Sequence, residues 1–189
     1  MRIALLVAAG SLAALAACSS PNPVLYTIAP VPGTQQSGGP KVVALQQIST
    51  ARYLERSQIV ASSENYRLDV MTNDWWGEPL AAMLSRVLVE ELGQRLPQST
   101  VIGESGAVTA TPDATIELNV QRLDEDASGT LILQAQASVS FKGRGAPALR
   151  SFRFAVPPPT PGTPGEVTAI STAVGQLADG LASMLLASR

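Results

Sequence analysis

The sequence predicts an α+β domain: a mostly antiparallel sheet with two main helices packed on it, preceded by a lipoprotein signal peptide. Three observations predict this class. Residues 1–17 have the charge and hydropathy of a secretory signal, and alternating apolar residues between 116 and 141 predict a long hairpin. Two segments, at about 78–96 and from 163 onward, carry apolar residues at helical spacing. The order of strands, helix, strands and helix is typical of helices packed on one sheet.

Composition excludes several classes of function. The chain has 189 residues, of which 46% are hydrophobic and 15% charged, and its net charge is −2. It has no histidine, which excludes Ser-His-Asp and Cys-His catalysis and every His-ligated metal site. Nucleic-acid binding is not expected, because it depends on clustered cations and no basic block is present. We therefore expect no enzyme activity, no catalytic residue, no metal site and no cofactor.

The only cysteine, Cys18, follows a signal-like segment in which Arg2 precedes a run of apolar and small residues. This run is too short to span the ~30 Å hydrocarbon core of a membrane as a helix. Residues 15–18, LAAC, resemble the lipobox of bacterial lipoproteins. The resemblance implies cleavage before Cys18, a diacylglycerol on its thiol and an N-acyl chain such as palmitate. The alternative is an unmodified cleavage site with a stray cysteine.

Two acyl chains already suffice for stable membrane attachment. An aspartate directly after the lipidated cysteine would resemble an inner-membrane retention signal. This chain has Ser19 at that position, so the resemblance points to the periplasmic face of the outer membrane. Residues 18–23 are then a lipidated tether, and a flexible link of five residues reaches only about 13 Å. We expect residues 24–189 to form a single periplasmic domain close to the membrane.

Strands are predicted near 24–28 and 41–48, and Tyr66, Leu68 and Val70 alternate with charged residues as in a half-buried strand. The segments 116–121 and 131–141 predict an antiparallel hairpin with one buried face. Two segments interrupt these elements. The composition of 30–40 predicts a mobile loop, and prolines break regular pairing at 157–164.

In the first predicted helix, 78–96, leucine and valine form one apolar stripe, and Arg86, Glu90, Gln94 and Arg95 lie mostly off it. The last helix is predicted to begin with a capping box. In that motif Thr163 accepts from the Glu166 N–H and the Glu166 side chain reaches back, with Pro164 at the first helical position.

Several segments together resemble the ABC-type transport auxiliary lipoprotein family, whose members are PqiC-like. They are the lipobox, residues 25–30 (LYTIAP), residues 52–60 (RYLERSQIV), and the tryptophan and helix of residues 76–97. Each segment alone is weak evidence for the family, and the resemblance depends on their order and spacing. The resemblance implies a non-enzymatic subunit of a lipid transport system that supports envelope integrity. Its implied partners are an MCE-domain protein that bridges the periplasm and an ABC or Pqi-type permease, and relatives that form rings imply a homo-oligomer.

Trp75 is the strongest candidate for a partner contact, with Arg52 and Arg56 as further candidates. An exposed tryptophan suits either a partner protein or the membrane interface, and one ring of the Trp75-Trp76 pair is expected in the core. The two arginines suit lipid phosphates, or else are solvated or bridge to Glu55 or Glu64. The alternative function is a stand-alone envelope lipoprotein that carries lipid or regulates a cell-wall enzyme.

Overall fold

The computed structural model describes residues 22–104 and 110–187. Cys18, the signal peptide predicted at 1–17 and most of the 18–23 tether lie outside these residues. In the described part of the chain, nine strands form one sheet, with two α-helices. The strands are β1 (Val24–Tyr26), β2 (Val42–Leu45), β3 (Ser49–Thr50), β4 (Gln58–Ser62), β5 (Asp69–Trp76), β6 (Thr100–Gly103), β7 (Ala114–Glu125), β8 (Leu131–Phe141) and β9 (Ala148–Val156). The helices are α1 (Leu80–Arg95) and α2 (Thr163–Ala187), and a 3-10 turn spans Arg52–Leu54.

The sheet is built around β7. Strand β8 pairs antiparallel along one edge of β7, and β9 pairs antiparallel with β8, which confirms the predicted hairpin. The other edge of β7 pairs in parallel with three short strands in turn: β2 at its start, β3 at its middle and β4 at its end. Strand β6 lies beyond β2, while β5 and then β1 lie beyond β4.

The predicted α+β class with two helices is confirmed, and the sheet is mixed. Five of the eight strand pairs among the described residues are parallel. The antiparallel pairs include the two longest registers, β7 with β8 and β8 with β9. The antiparallel prediction therefore describes the long strands, whereas the short strands before residue 104 pair mostly in parallel.

Both helices pack against one core. Helix α1 contacts β6 and α2, and α2 contacts β8 and β9. The inward residues of β7 are buried while Glu117 and Asn119 between them are exposed, as the period of two predicts. Helix α2 is long and apolar enough to cross a membrane by length and composition, but 67% of its most apolar window is buried in the fold. That degree of burial is typical of a core helix.

The strand predicted from Tyr66, Leu68 and Val70 begins later than expected. Asn65 and Tyr66 have φ angles of 55° and 63°, in the left-handed region, which ends extended pairing. Strand β5 therefore begins at Asp69, and Tyr66 is fully exposed. At its other end β5 continues through Trp76, so the tryptophan pair lies in a strand rather than at the start of α1.

The predicted capping box at the start of α2 is wrong. Thr163 is the first helical residue, and its hydroxyl lies 3.0 Å from the sulfur of Met71. The Glu166 N–H donates instead to the carbonyl of Gly162 at 3.2 Å. The Glu166 side chain is buried, and its Oε1 has no hydrogen-bond partner among the described residues. Gly162, with φ of 82°, turns the backbone into the helix at the position where a threonine cap was expected.

Candidate partner-binding surface

The tryptophan pair is split between the two faces of the sheet. In the parallel pairing of β1 with β5, Leu25 is the partner of Trp75 and Tyr26 the partner of Trp76. Successive side chains of a strand point to opposite faces. Trp76 is therefore buried at 8% exposure, as expected of one ring, whereas Leu25 on the other face is 63% exposed. Trp75 is half-buried, and its indole N–H donates to the Thr72 carbonyl at 3.1 Å.

The 3-10 turn brings the two candidate arginines to the same end of the sheet. It ends just before β4, where Gln58 pairs with Trp75 and the Trp76 N–H donates to the Ser57 carbonyl at 2.7 Å. Both arginines are exposed, and the Arg56 Nε donates to the Tyr53 carbonyl at 3.0 Å. We call this region the Trp75 end, defined by Leu25, Gln58, Trp75, Arg52 and Arg56.

Of the alternatives for these arginines, the bridge to Glu64 is not formed, and both side chains are exposed. Glu64 accepts from Arg122, at 2.7 Å, on the neighbouring strand β7. In the part of the chain that the structure describes, neither Arg52 nor Arg56 lies within ion-pair distance of a carboxylate. Exposed Glu55 lies between them in the sequence. Both guanidinium groups therefore remain able to meet an external anion.

A buried polar network holds the turn in place. The Tyr53 hydroxyl donates to Asp124 Oδ2 at 2.7 Å, and the Arg122 Nε donates to Asp124 Oδ1 at 2.8 Å. Asp124 is fully buried. Burial, together with the adjacent Asp124 carboxylate, raises the pKa of Tyr53 well above its usual value. The phenol therefore stays protonated and donates to Asp124, which fixes Tyr53 and the turn around it.

The acidic residues at the β7–β8 turn, 124–126, have different roles. Asp124 belongs to the buried network, which the sequence pattern did not reveal. Asp126 accepts from the Ser128 hydroxyl at 2.6 Å, the Ser128 N–H at 2.8 Å and the Thr130 N–H at 3.1 Å. These hydrogen bonds favour the carboxylate and lower the pKa of Asp126. Its oxygens therefore close the β7–β8 turn.

A second polar network fastens the segment between β1 and β2. The carbonyl of Val31 accepts from Arg95 Nη1 at 3.3 Å, and the N–H of Val31 donates to Glu91 Oε1 at 2.7 Å. The same guanidinium donates to Asp179 at 2.6 Å and to the Gly175 carbonyl at 2.9 Å. A side chain on Gly33 would overlap the Arg95 guanidinium, so this close approach needs glycine. The mobility of residues 30–40 stays a prediction, and these contacts locate the fixed points of the segment.

Two buried glutamates have strongly perturbed acidity. Burial raises the pKa of Glu91 to about 7, although the Val31 N–H and Arg95 oppose this shift. Burial raises the pKa of Glu166 to about 8, and the carboxylates of Glu125, Asp124 and Asp74 act in the same direction. Each glutamate has one buried oxygen without a hydrogen-bond partner among the described residues.

Two features of the described residues bear on what this surface can bind. No group of three or more Asp, Glu or Cys side chains in ranges 22–104 and 110–187 is placed to hold a metal ion. An open groove of about 530 Å³ lies beside the first turns of α1 and is lined by Gln47, Ile48, Pro79, Ala81, Ala82, Ser85 and Glu104. The Trp75 end combines exposed Leu25 and half-buried Trp75 with two exposed arginines, and tryptophan and arginine are enriched at interfaces.

The comparisons with known proteins identify the family. The family model of the ABC-type transport auxiliary lipoprotein component matches residues 26–182, so the chain belongs to that family. This confirms the resemblance found in the sequence. The match includes the Tyr53 turn, the tryptophan pair, α1 and most of α2. No curated protein matches the chain.

Solved structures confirm the fold. An uncharacterised protein superimposes with a TM-score of 0.72 at 16% identity, covering 86% of this chain and 98% of that one. Protein XCC0632 from Xanthomonas campestris, of family DUF330, gives a TM-score of 0.68 at 19% identity, covering 86% of this chain and 95% of its own. At these identities the likeness concerns the fold alone.

Proposed function

We propose that this protein is a lipid-anchored docking subunit of an MCE-linked ABC or Pqi-type lipid transport system, acting on the periplasmic face of the outer membrane. The observation that carries the proposal is the family match over residues 26–182, which assigns the chain to auxiliary components of ABC-type transport. Cys18 carries a diacylglycerol and an N-acyl chain. The domain holds the outer end of a periplasm-spanning MCE protein, as a homo-oligomer and without catalysis of its own.

The geometry supports a scaffold role. Buried networks around Arg95 and Asp124 fasten the loop and the turn that border the sheet. A docking subunit needs such rigidity because ordering a loop on binding costs free energy.

The alternative, a stand-alone lipid carrier, needs an enclosed apolar cavity. The groove beside α1 is open and includes Gln47, Ser85 and Glu104 in its lining. Docking is therefore favoured over carriage. Extraction of the purified protein with organic solvent tests the carrier: stoichiometric non-covalent phospholipid would support it, and only covalent acyl chains are expected here.

Complementation tests the anchored role. Deleting the gene should make the cells sensitive to detergent, and the wild-type gene should restore resistance. A Cys18→Ser variant should be exported without acylation by labelled palmitate and should fail to complement. Leu149→Ser is the matched control, because Leu149 is exposed on β9, on the far side of β7 from β1. Full complementation by an unacylated Cys18→Ser variant would contradict the proposal.

A further inference from the structure

We propose that the Trp75 end lies against the lipid bilayer that carries the anchor, so that the protein binds its membrane by a protein surface as well as by acyl chains. This inference rests on the anchoring proposed for Cys18. It assigns a lipid surface, rather than a protein, as the partner of Trp75, Arg52 and Arg56.

The first argument is distance. Leu25 is only seven residues from Cys18, and seven residues span at most about 25 Å even when fully extended. Strand β1 begins at Val24, so the first fixed element of the fold is also the one nearest the anchor. Val24, on the opposite face of β1 from Leu25, is 52% exposed. Two exposed apolar residues are therefore held within reach of the bilayer surface.

The second argument is chemistry. Leu25 and Trp75 are register partners on one face of the β1–β5 pair, which places an aliphatic and an amphipathic aromatic side chain together. Tryptophan favours the membrane–water interface, where the ring meets apolar chains and the indole N–H stays hydrogen-bonded. The Trp75 N–H already has its acceptor, the Thr72 carbonyl, so the ring can enter the interface without an unpaired donor.

The third argument is charge. Arg52 and Arg56 lie in the segment that leads to Gln58, the register partner of Trp75. Both are exposed and have no carboxylate within ion-pair distance among the described residues. Guanidinium groups beside an apolar surface bind anionic lipid headgroups. Both arginines precede β4, which begins at Gln58 opposite Trp75, and in the proposed orientation the apolar residues enter the bilayer while the arginines contact the headgroups.

Tryptophan fluorescence tests the orientation. The lipidated full-length protein is reconstituted into vesicles of equal parts phosphatidylethanolamine and phosphatidylglycerol with brominated acyl chains. Subtracting the emission of a Trp75→Phe variant isolates Trp75 from buried Trp76, and flotation measures anchoring independently. We expect Trp75 to lose most of its emission and Leu25→Ser to restore much of it. Arg52→Gln with Arg56→Gln should also reduce quenching, and Leu149→Ser should leave it unchanged.

The outcomes separate this inference from the proposed function. Protein that floats with unquenched, iodide-accessible Trp75 would overturn the orientation and leave the anchor intact. Protein that does not float would overturn the anchor and this inference with it. Trp75 that is shielded in native envelopes but exposed in vesicles would show a protein contact and overturn the lipid assignment.

Discussion

Arg95 shows how one residue fastens an irregular segment. Its side chain is 1% exposed, although the helical pattern placed Arg95 mostly off the apolar stripe of α1. It is buried because α2 and the chain around Val31 cover that face of α1, and the guanidinium reaches carbonyls on both. A helical period reports which side of one helix is apolar. It does not report which later segment covers the polar edge of that side.

Replacing Arg95 by alanine should cost roughly 3 kcal/mol of unfolding free energy, because it strips buried carbonyls of their donor and removes a packed side chain. Urea unfolding measures this cost. Arg86→Ala is the matched control, since Arg86 pairs with Glu78 at the surface and should contribute at most about 1 kcal/mol. Equal losses in the two variants would contradict the fastening role.

Glu166 should make the stability of the fold depend on pH. Its pKa is about 8 in the folded protein, against the usual 4.5, so the folded state binds more protons than the unfolded chain between these values. Stability therefore falls as the pH rises through this window. Glu91, raised to about 7, acts in the same direction. One pKa unit corresponds to about 1.4 kcal/mol, which makes the effect measurable.

Glu166→Gln should flatten this dependence, because a neutral amide keeps the shape and cannot ionise. Urea unfolding at about pH 5 and about pH 8.5 brackets the window. Exposed Glu117→Gln on β7 is the control and should keep the wild-type slope. A Glu166→Gln variant with the same slope as wild type would show that Glu166 ionises freely in the folded state.

At the scale of elements, the two helices leave different amounts of space around their glycines. A Cβ built at Gly180 on α2 would overlap the ring of Phe152 on β9, which is buried and stacked on Phe154. A Cβ at Gly93 on α1 would meet nothing within 4 Å. The same substitution therefore probes close packing at one site and helix propensity at the other.

Gly180→Ala should destabilise the fold by about 1–3 kcal/mol through overpacking. Gly93→Ala should stabilise it by up to about 1 kcal/mol, since alanine favours the helix. Thermal unfolding followed by circular dichroism compares the two variants directly. Opposite signs are expected, and a neutral Gly180→Ala would mean that α2 is not held against β9 as described.

Elements with a strong local period were predictable from the sequence. The hairpin of β7 and β8, helix α1 and the final helix follow from alternation or helical spacing over ten residues or more. The pairing partners of the short strands could not be predicted from the sequence. Parallel strands of two to five residues are paired by the path of the chain between them, which no local pattern reports. The capping box failed for a related reason: Gly162 and the neighbouring Met71 offered the chain another entry to α2.

The candidate surface was predicted in part. Alternation in a strand already implies that adjacent Trp75 and Trp76 face opposite ways, but the sequence placed them beside a helix. The β1–β5 register in the structure shows which face of the sheet each tryptophan occupies. The Tyr53–Asp124 hydrogen bond joins residues 71 positions apart, and no local pattern reports such a pair.

At the scale of the whole molecule, Val24 and Leu25 are exposed on β1, the first strand after the proposed anchor, and Arg52 and Arg56 are exposed in the segment before β4. The buried networks lie behind the Trp75 end and between the helices. This polarity suits a subunit that is held at a membrane and presents the rest of its surface to other proteins. The family match over most of the chain agrees with a part in transport.

Crosslinking in the native envelope tests the docking role most directly. The lipidated protein is crosslinked in its own cells under mild conditions, purified by a tag, and analysed by mass spectrometry. We predict links to an MCE-domain protein or its permease, together with links between copies of this chain. Recovery of the protein alone, or linked to a cell-wall enzyme, would contradict the transport assignment and leave the fold unaffected.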